Sequence, residues 1–180
     1  MFLNIITPCS RPQNLHKISQ SINIPKENYR WIVVFDFDSL PDKDLIPNNC
    51  ETYLFKDSES TAGHSQRNFA INLVEYGHIY SNDDDTILHP NLWENIKELD
   101  NDFISFMQVT TTGNLRLIGN RIEVGGIDSH NFLVSKELCG DTRFKKDLYY
   151  ADGVFAEECY KNSKTPIHLP IVLSVYNSLR

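Results

Sequence analysis

Apolar residues come in short bursts along the chain, each cut off by a polar or proline-containing break. Phe2-Leu3-Asn4-Ile5-Ile6-Thr7-Pro8 predicts a short buried strand stopped by proline. Ser10-Arg11-Pro12 then opens a helix with Leu15, Ile18 and Ile22 on one face. Trp31 to Phe35 is almost wholly apolar, the pattern of a strand covered on both faces. A polar loop over 41–49 leads to a third strand, Thr52 to Phe55. Ser65 to Tyr76 has helical spacing, with Phe69, Leu73 and Tyr76 aligned and Gly77 as its terminator. His78 to Ser81 forms a fourth strand, and His89-Pro90 opens a helix carrying Leu92, Ile96 and Leu99.

The first hundred residues therefore alternate strand and helix. That pattern predicts a single α/β domain with a mainly parallel, Rossmann-like sheet flanked by helices. Beyond Asp100 the spacing changes. Longer strands are expected at Phe103–Val109 and Asn114–Val124, another at Phe132–Val134, a helix at Ala151–Tyr160 and an extended tail from Ile167. Residues 1–100 and 101–180 therefore read as two halves of one domain.

In parallel sheets ligands bind beyond the carboxyl ends of the strands. Three such ends carry chemistry: Thr7 to Arg11, Asp36 to Asp38, and Asp83-Asp84-Asp85. Three adjacent carboxylates repel one another, and a hard divalent cation, Mg²⁺ or Mn²⁺, is the usual remedy. A solvated acidic turn is the plain alternative for the triplet alone; the two neighbouring strand ends argue against it.

Composition narrows the classes. A net charge of −7 argues against nucleic acid as the main partner. The four cysteines are scattered without zinc or CxxC spacing, so they read as reduced thiols of a cytoplasmic protein. No apolar run reaches membrane-spanning length and the N-terminus has no signal-peptide pattern, so no intrinsic membrane anchor is expected.

Several segments, taken in order, resemble the GT-A glycosyltransferases over nearly the whole chain. They are Ile5 to Pro12, Trp31 to Asp36, Gln66-Arg67-Asn68-Phe69-Ala70, Tyr80 to Asp85, Gly125-Gly126-Ile127-Asp128, Asn131 to Ser135, and Tyr150 to Phe155. The stretch from Gln66 to Asp85 is similar to the glucuronosyltransferase branch, and Asp83 to Asp85 looks like the family's DxD motif.

The resemblance implies a metal-dependent transferase that moves a sugar from a nucleotide-sugar, with UDP expected, to an acceptor hydroxyl with inversion, residues 1–100 being its nucleotide-binding half and 101–180 its donor-sugar and acceptor half. Thr7, Pro8 and Arg11 would border the nucleotide, and Asp36 would accept from its base. Arg67, Asp83 and Asp84 would meet nucleotide, phosphate, ribose or sugar. Asp85 and His168 would ligate the metal. Gly125, Gly126, Asp128 and Asn131 would lie near the donor sugar. Asp152 would be the base, with Glu157 and Glu158 behind it. A plain helix cap explains Asp152 as well, and a glycine turn explains the glycine pair. Two other readings stand beside this one. Asp36 and Asp38 after an apolar strand imitate a HAD-type phosphatase, and the chain could bind a sugar nucleotide without catalysis.

Overall fold

The computed structural model describes all 180 residues, and its centre is an eight-stranded sheet. Strands β1 (Leu3–Cys9), β2 (Tyr29–Phe35), β3 (Glu51–Leu54) and β4 (His78–Ser81) run parallel in the order β3-β2-β1-β4. Strand β5 (Phe103–Thr110) continues the sheet through β7 (Phe132–Ser135), which is antiparallel to both β4 and β5. The short β6 (Leu115–Leu117) pairs with the far end of β5, and β8 (Pro166–Tyr176) runs parallel along it. The sheet is mixed and mainly parallel, as expected.

Alternation along the strands places residues on two faces. In β2, Trp31, Val33 and Phe35 join one core with helices α1 (Leu15–Ser21) and α3 (Leu92–Ile96). Ile32 and Val34 join the other, against α2 (His64–Leu73), α4 (Lys136–Cys139) and α5 (Ala151–Asn162). Both faces are covered, which explains why the strands read as unbroken apolar runs.

Three boundaries differ from the sequence reading. Helix α2 ends at Leu73, and Val74 is already extended. Gly77 instead makes the turn into β4, at φ +85°, where a Cβ would lie 2.6 Å from the Phe2 carbonyl. Helix α1 begins only at Leu15, after a single 3₁₀ turn at Pro12–Asn14. The strand expected over 114–124 is three residues long. Its remainder leaves the sheet to cover α5, where the Val124 amide donates to Glu157 (3.1 Å) and a Cβ on Gly153 would touch Val124. No helix is long and apolar enough to cross a membrane. All four cysteines are free thiols.

Candidate active site

The carboxyl ends of β1, β2 and β4 open onto a cleft of about 270 Å³. Pro8, Arg11, Asp36, Asp83 and Asp84 line it, together with Gly63 and Gln66 from the start of α2. A second cleft, of about 350 Å³, lies beside it and holds Arg67, Gly125, Asp128, His130, Tyr149, Tyr150 and Asp152. Ala62, Asp83 and Arg180 line both. Thus segments far apart in sequence meet along one edge of the sheet.

The acidic triplet is neutralised by the chain itself, contrary to the expectation of unbalanced repulsion. Each aspartate does something different. Asp84 accepts from the Ser10 and Arg11 amides (2.6 and 2.7 Å), from Ser10 Oγ (3.1 Å) and from Arg11 Nε (2.9 Å). Its oxygens are spent on shaping the loop after β1, so it forms the floor of the cleft rather than a free ligand group. Asp85 is buried and lines neither cleft; its Oδ2 meets Arg180 Nε at 2.5 Å and Arg11 Nη2 at 3.1 Å. Asp83 accepts from Arg67 through Oδ1, while its Oδ2 lies 3.2 Å from His130 Nε2. Burial alone would raise the Asp83 pKa, but Arg67 and then His130 outweigh it and hold it well below the usual carboxylate range.

Arg67 is 3% exposed, an unusual place for a guanidinium. It donates to Ser81 Oγ (2.8 Å) and the Ala62 carbonyl (2.6 Å) besides Asp83. It therefore aims Asp83 and does not itself face the first cleft. Its Nη1 also lies 3.3 Å from His64 Nδ1. Since arginine only donates, Nδ1 carries the lone pair and the proton is on Nε2. Burial and Arg67 push the His64 pKa down to about 4, so this ring is neutral at physiological pH.

His130 is the group the sequence reading passed over, although it sits between two chosen residues, Asp128 and Asn131. Its Nδ1 lies 2.9 Å from Asp128 Oδ1, an ionic contact out of line for a hydrogen bond. Its Nε2 is also 3.0 Å from the Asp83 amide, which would need a lone pair there. The two flanking carboxylates, Asp128 buried and Asp83 partly exposed, favour the protonated ring, whose Nε2–H would turn toward Asp83 Oδ2. Burial would lower the imidazole pKa, but Asp83 and Asp128 together raise it to about 10. Asp128 is completed by Arg116 at 2.9 Å and is held well below its ordinary pKa, His130 overcoming the effect of burial. Arg116, Arg180 and His64 were also missed; lone arginines and histidines outside any motif give no signal in sequence.

Asp152 lies at the second position of α5, with Tyr150 as the cap residue. It is partly buried in the second cleft and accepts from the Gly153 amide (2.8 Å). Burial, and then the charge of Asp128, raise its pKa, with the Gly153 amide pulling it back.

Other expected residues do not reach the clefts. Thr7 is buried and its Oγ1 accepts from Trp31 Nε1 (3.0 Å), so it braces the sheet. Asn131 is fully buried; it accepts from the Asp128 amide and donates to the Phe106 carbonyl, fixing the turn before β7. Gly126 packs on the Arg121 backbone, while Gly125 lines the second cleft. His168 lies near the start of β8, beside Ser105 (3.2 Å). The site lies at the other end of that strand. Ser105 precedes Thr110, the neighbour of Tyr176, by five residues, roughly 16 Å of strand. His168 therefore cannot share a cation with Asp85. Asp38 pairs with Lys56 in solvent, outside either cleft, which removes the carboxylate pair a phosphatase would need.

No three carboxylate, imidazole or thiolate groups converge on one point. Asp85, the expected metal ligand, is a hard oxygen donor of the kind Mg²⁺ or Mn²⁺ uses, but it is buried, lines neither cleft and is paired with Arg11 and Arg180, so it would hold such an ion only with Arg180 displaced from the carboxylate.

No protein-family model matches the chain, and no curated protein matches it in sequence. Solved structures do. Residues 1–349 of TarS from S. aureus superpose with a TM-score of 0.77 at 15% identity, covering 97% of this chain and 60% of that one. Its fold is that of the GT-A glycosyltransferases. The same TarS fragment in complex with UDP-GlcNAc matches with a TM-score of 0.74 at 15% identity, over 97% of this chain and 58% of that one. A mannosyltransferase from Pyrobaculum calidifontis, in complex with GDP-Man and Mn²⁺, gives 0.71 at 14% identity, over 97% and 56%. The chain thus spans about 60% of the length of these GT-A structures.

Proposed function

We propose that the protein is a glycosyltransferase that takes a sugar from a nucleoside diphosphate, UDP in our reading, and passes it with inversion to an acceptor hydroxyl. The observation that carries this is the pair of joined clefts at the carboxyl edge of a GT-A sheet, with Asp83 on the wall they share. The GT-A structures bound to UDP-GlcNAc and GDP-Man support a nucleotide-sugar donor.

Each residue then has a role. Asp36, exposed at the end of β2, accepts from base N–H groups in the first cleft. Asp83, fixed by Arg67 and His130, meets the ribose or sugar at the junction. Arg11 and Arg180 place positive charge beside the departing diphosphate. Asp85, if freed from Arg180, would be the residue to hold a divalent ion, which would supply further positive charge for the leaving diphosphate. Asp152 takes the proton of the acceptor hydroxyl as the sugar carbon is attacked from the opposite side. Its raised pKa makes it a stronger base than a solvated aspartate.

A panel of nucleotide-sugars tests this, with and without EDTA, in the wild type and in Asp152→Asn. We expect donor turnover by the wild type that falls with EDTA, and a roughly 10²–10⁴-fold loss of transfer in the variant with donor binding retained. A product with the donor's anomeric configuration would overturn inversion. Binding without any turnover would leave a sugar-nucleotide binding module.

A further inference from the structure

Between the two clefts runs a row of alternating charge. Arg67, Asp83, His130, Asp128 and Arg116 follow one another as cation, anion, cation, anion, cation. They come from α2, the end of β4, the turn before β7, and β6. His130 is the centre and is 2% exposed. Its two ring nitrogens face two different carboxylates, Asp83 at 3.2 Å and Asp128 at 2.9 Å. Its own amide adds a hydrogen bond to Asp128 Oδ1 (3.0 Å). The structure shows no direct contact between the two carboxylates, so the imidazole is their bridge.

The two ends face different chambers. Asp83 lines both clefts, whereas Asp128 lines only the second. The rigid imidazole ring sets one nitrogen 3.2 Å from Asp83 and the other 2.9 Å from Asp128, so when protonated it is an ionic bridge between them rather than a pair of aligned hydrogen bonds. Arg67 and Arg116 brace the outer sides, so neither carboxylate can turn away without stranding a buried charge.

We propose that His130 is a positioning residue for the donor. It locks Asp83 and Asp128 at one separation, so that the nucleotide end and the sugar end of a nucleoside diphosphate sugar are held as a single ligand. This rests on the function proposed above. It predicts that the sugar's share of the affinity, measured as UDP-sugar over UDP, depends on His130 although the imidazole is buried.

The test is calorimetry with UDP and with the UDP-sugar selected by the donor panel, on the wild type, His130→Gln, Asp83→Asn, Asp128→Asn and the double aspartate variant. In the wild-type background the two aspartate substitutions should be non-additive on UDP-sugar affinity by tenfold or more. In His130→Gln they should be additive within about twofold, and the preference for UDP-sugar over UDP should fall by about tenfold. A merely structural histidine would lower the melting temperature but leave that preference and that coupling unchanged, and this result overturns the proposal. If His130→Gln does not fold, the aspartate cycle with His130 intact decides, and additivity there overturns it. A wild type that binds no nucleotide refutes the function itself, which is a distinct outcome from nucleotide binding that ignores His130.

Discussion

Replacing Arg67 by methionine keeps most of the side-chain stem and removes the charge and its hydrogen bonds. Asp83 would keep only His130, and Ser81 Oγ and the Ala62 carbonyl would lose a donor. One charged hydrogen bond contributes about 1.5–3 kcal/mol. Removing one partner of a buried pair costs about 3–5 kcal/mol, because the remaining charge stays buried and uncompensated. Arg67 is 4% exposed, but Asp83 is 28% exposed and keeps His130, which holds the loss at the lower end of that range. The contributions are not additive, so the expected loss is about 3 kcal/mol in urea unfolding. For a domain of this size that is a fall in Tm of roughly 6–12 °C. Asp83→Asn in the same chain removes the stranded charge and should return about half of the loss. Arg67→Lys should not rescue, since an ammonium cannot span Ser81, Ala62 and Asp83 together. A loss under about 1 kcal/mol, or a double variant no better than the single one, would refute this reasoning.

Stability should also depend on pH through His130. Its folded pKa of about 10 lies above the ordinary value of 6.5, so its contribution is complete below pH 6.5 and is lost as pH rises toward 10. The thiols of buried Cys9 and half-buried Cys50, also pushed up by desolvation, destabilise in the same direction at alkaline pH. The difference between the wild type and His130→Gln in urea midpoints from pH 5 to 10 isolates the imidazole, and a pH-independent difference would contradict the charged bridge. Gly63→Ala places a Cβ at φ +75° and 2.7 Å from Pro8 Cβ, at the point where α2 meets the end of β1. It should cost at least about 1 kcal/mol and weaken nucleotide binding, since Pro8 and Gly63 both line the first cleft; unchanged melting and affinity would rule that out.

Periodicity and punctuation revealed the sheet because its strands are buried on both faces and its helices carry plain apolar stripes. The strand ends at Arg11, Asp36 and Asp83 were legible for the same reason: polar residues directly after apolar runs mark the carboxyl edge. What failed depended on tertiary contact. The segment after Leu117 reads as strand, yet Val124 is drawn to α5. Thr7 and Asn131 read as ligand groups, yet Trp31, Asp128 and Phe106 consume their hydrogen bonds. His168 was placed by its order in the chain, and order does not say which end of a strand a residue occupies. The charge balance was the largest gap. Arg180 lies 95 residues from Asp85 and His130 lies 47 from Asp83, and no local pattern joins them.

The central claim is that a nucleoside diphosphate sugar binds across the two clefts at the carboxyl edge of the sheet. Titrating UDP and then UDP-sugars into isotope-labelled protein, and mapping the amide shifts, tests it most directly. UDP should move Cys9 to Arg11, Asp36 and Ser60 to Gln66, and the sugar should extend the changes to Gly125, Asp128 and Asp152. Asp36→Ala should weaken UDP by about the 1.5–3 kcal/mol of a charge-assisted hydrogen bond. The absence of any nucleotide binding, or shifts that map away from both clefts, would contradict the account.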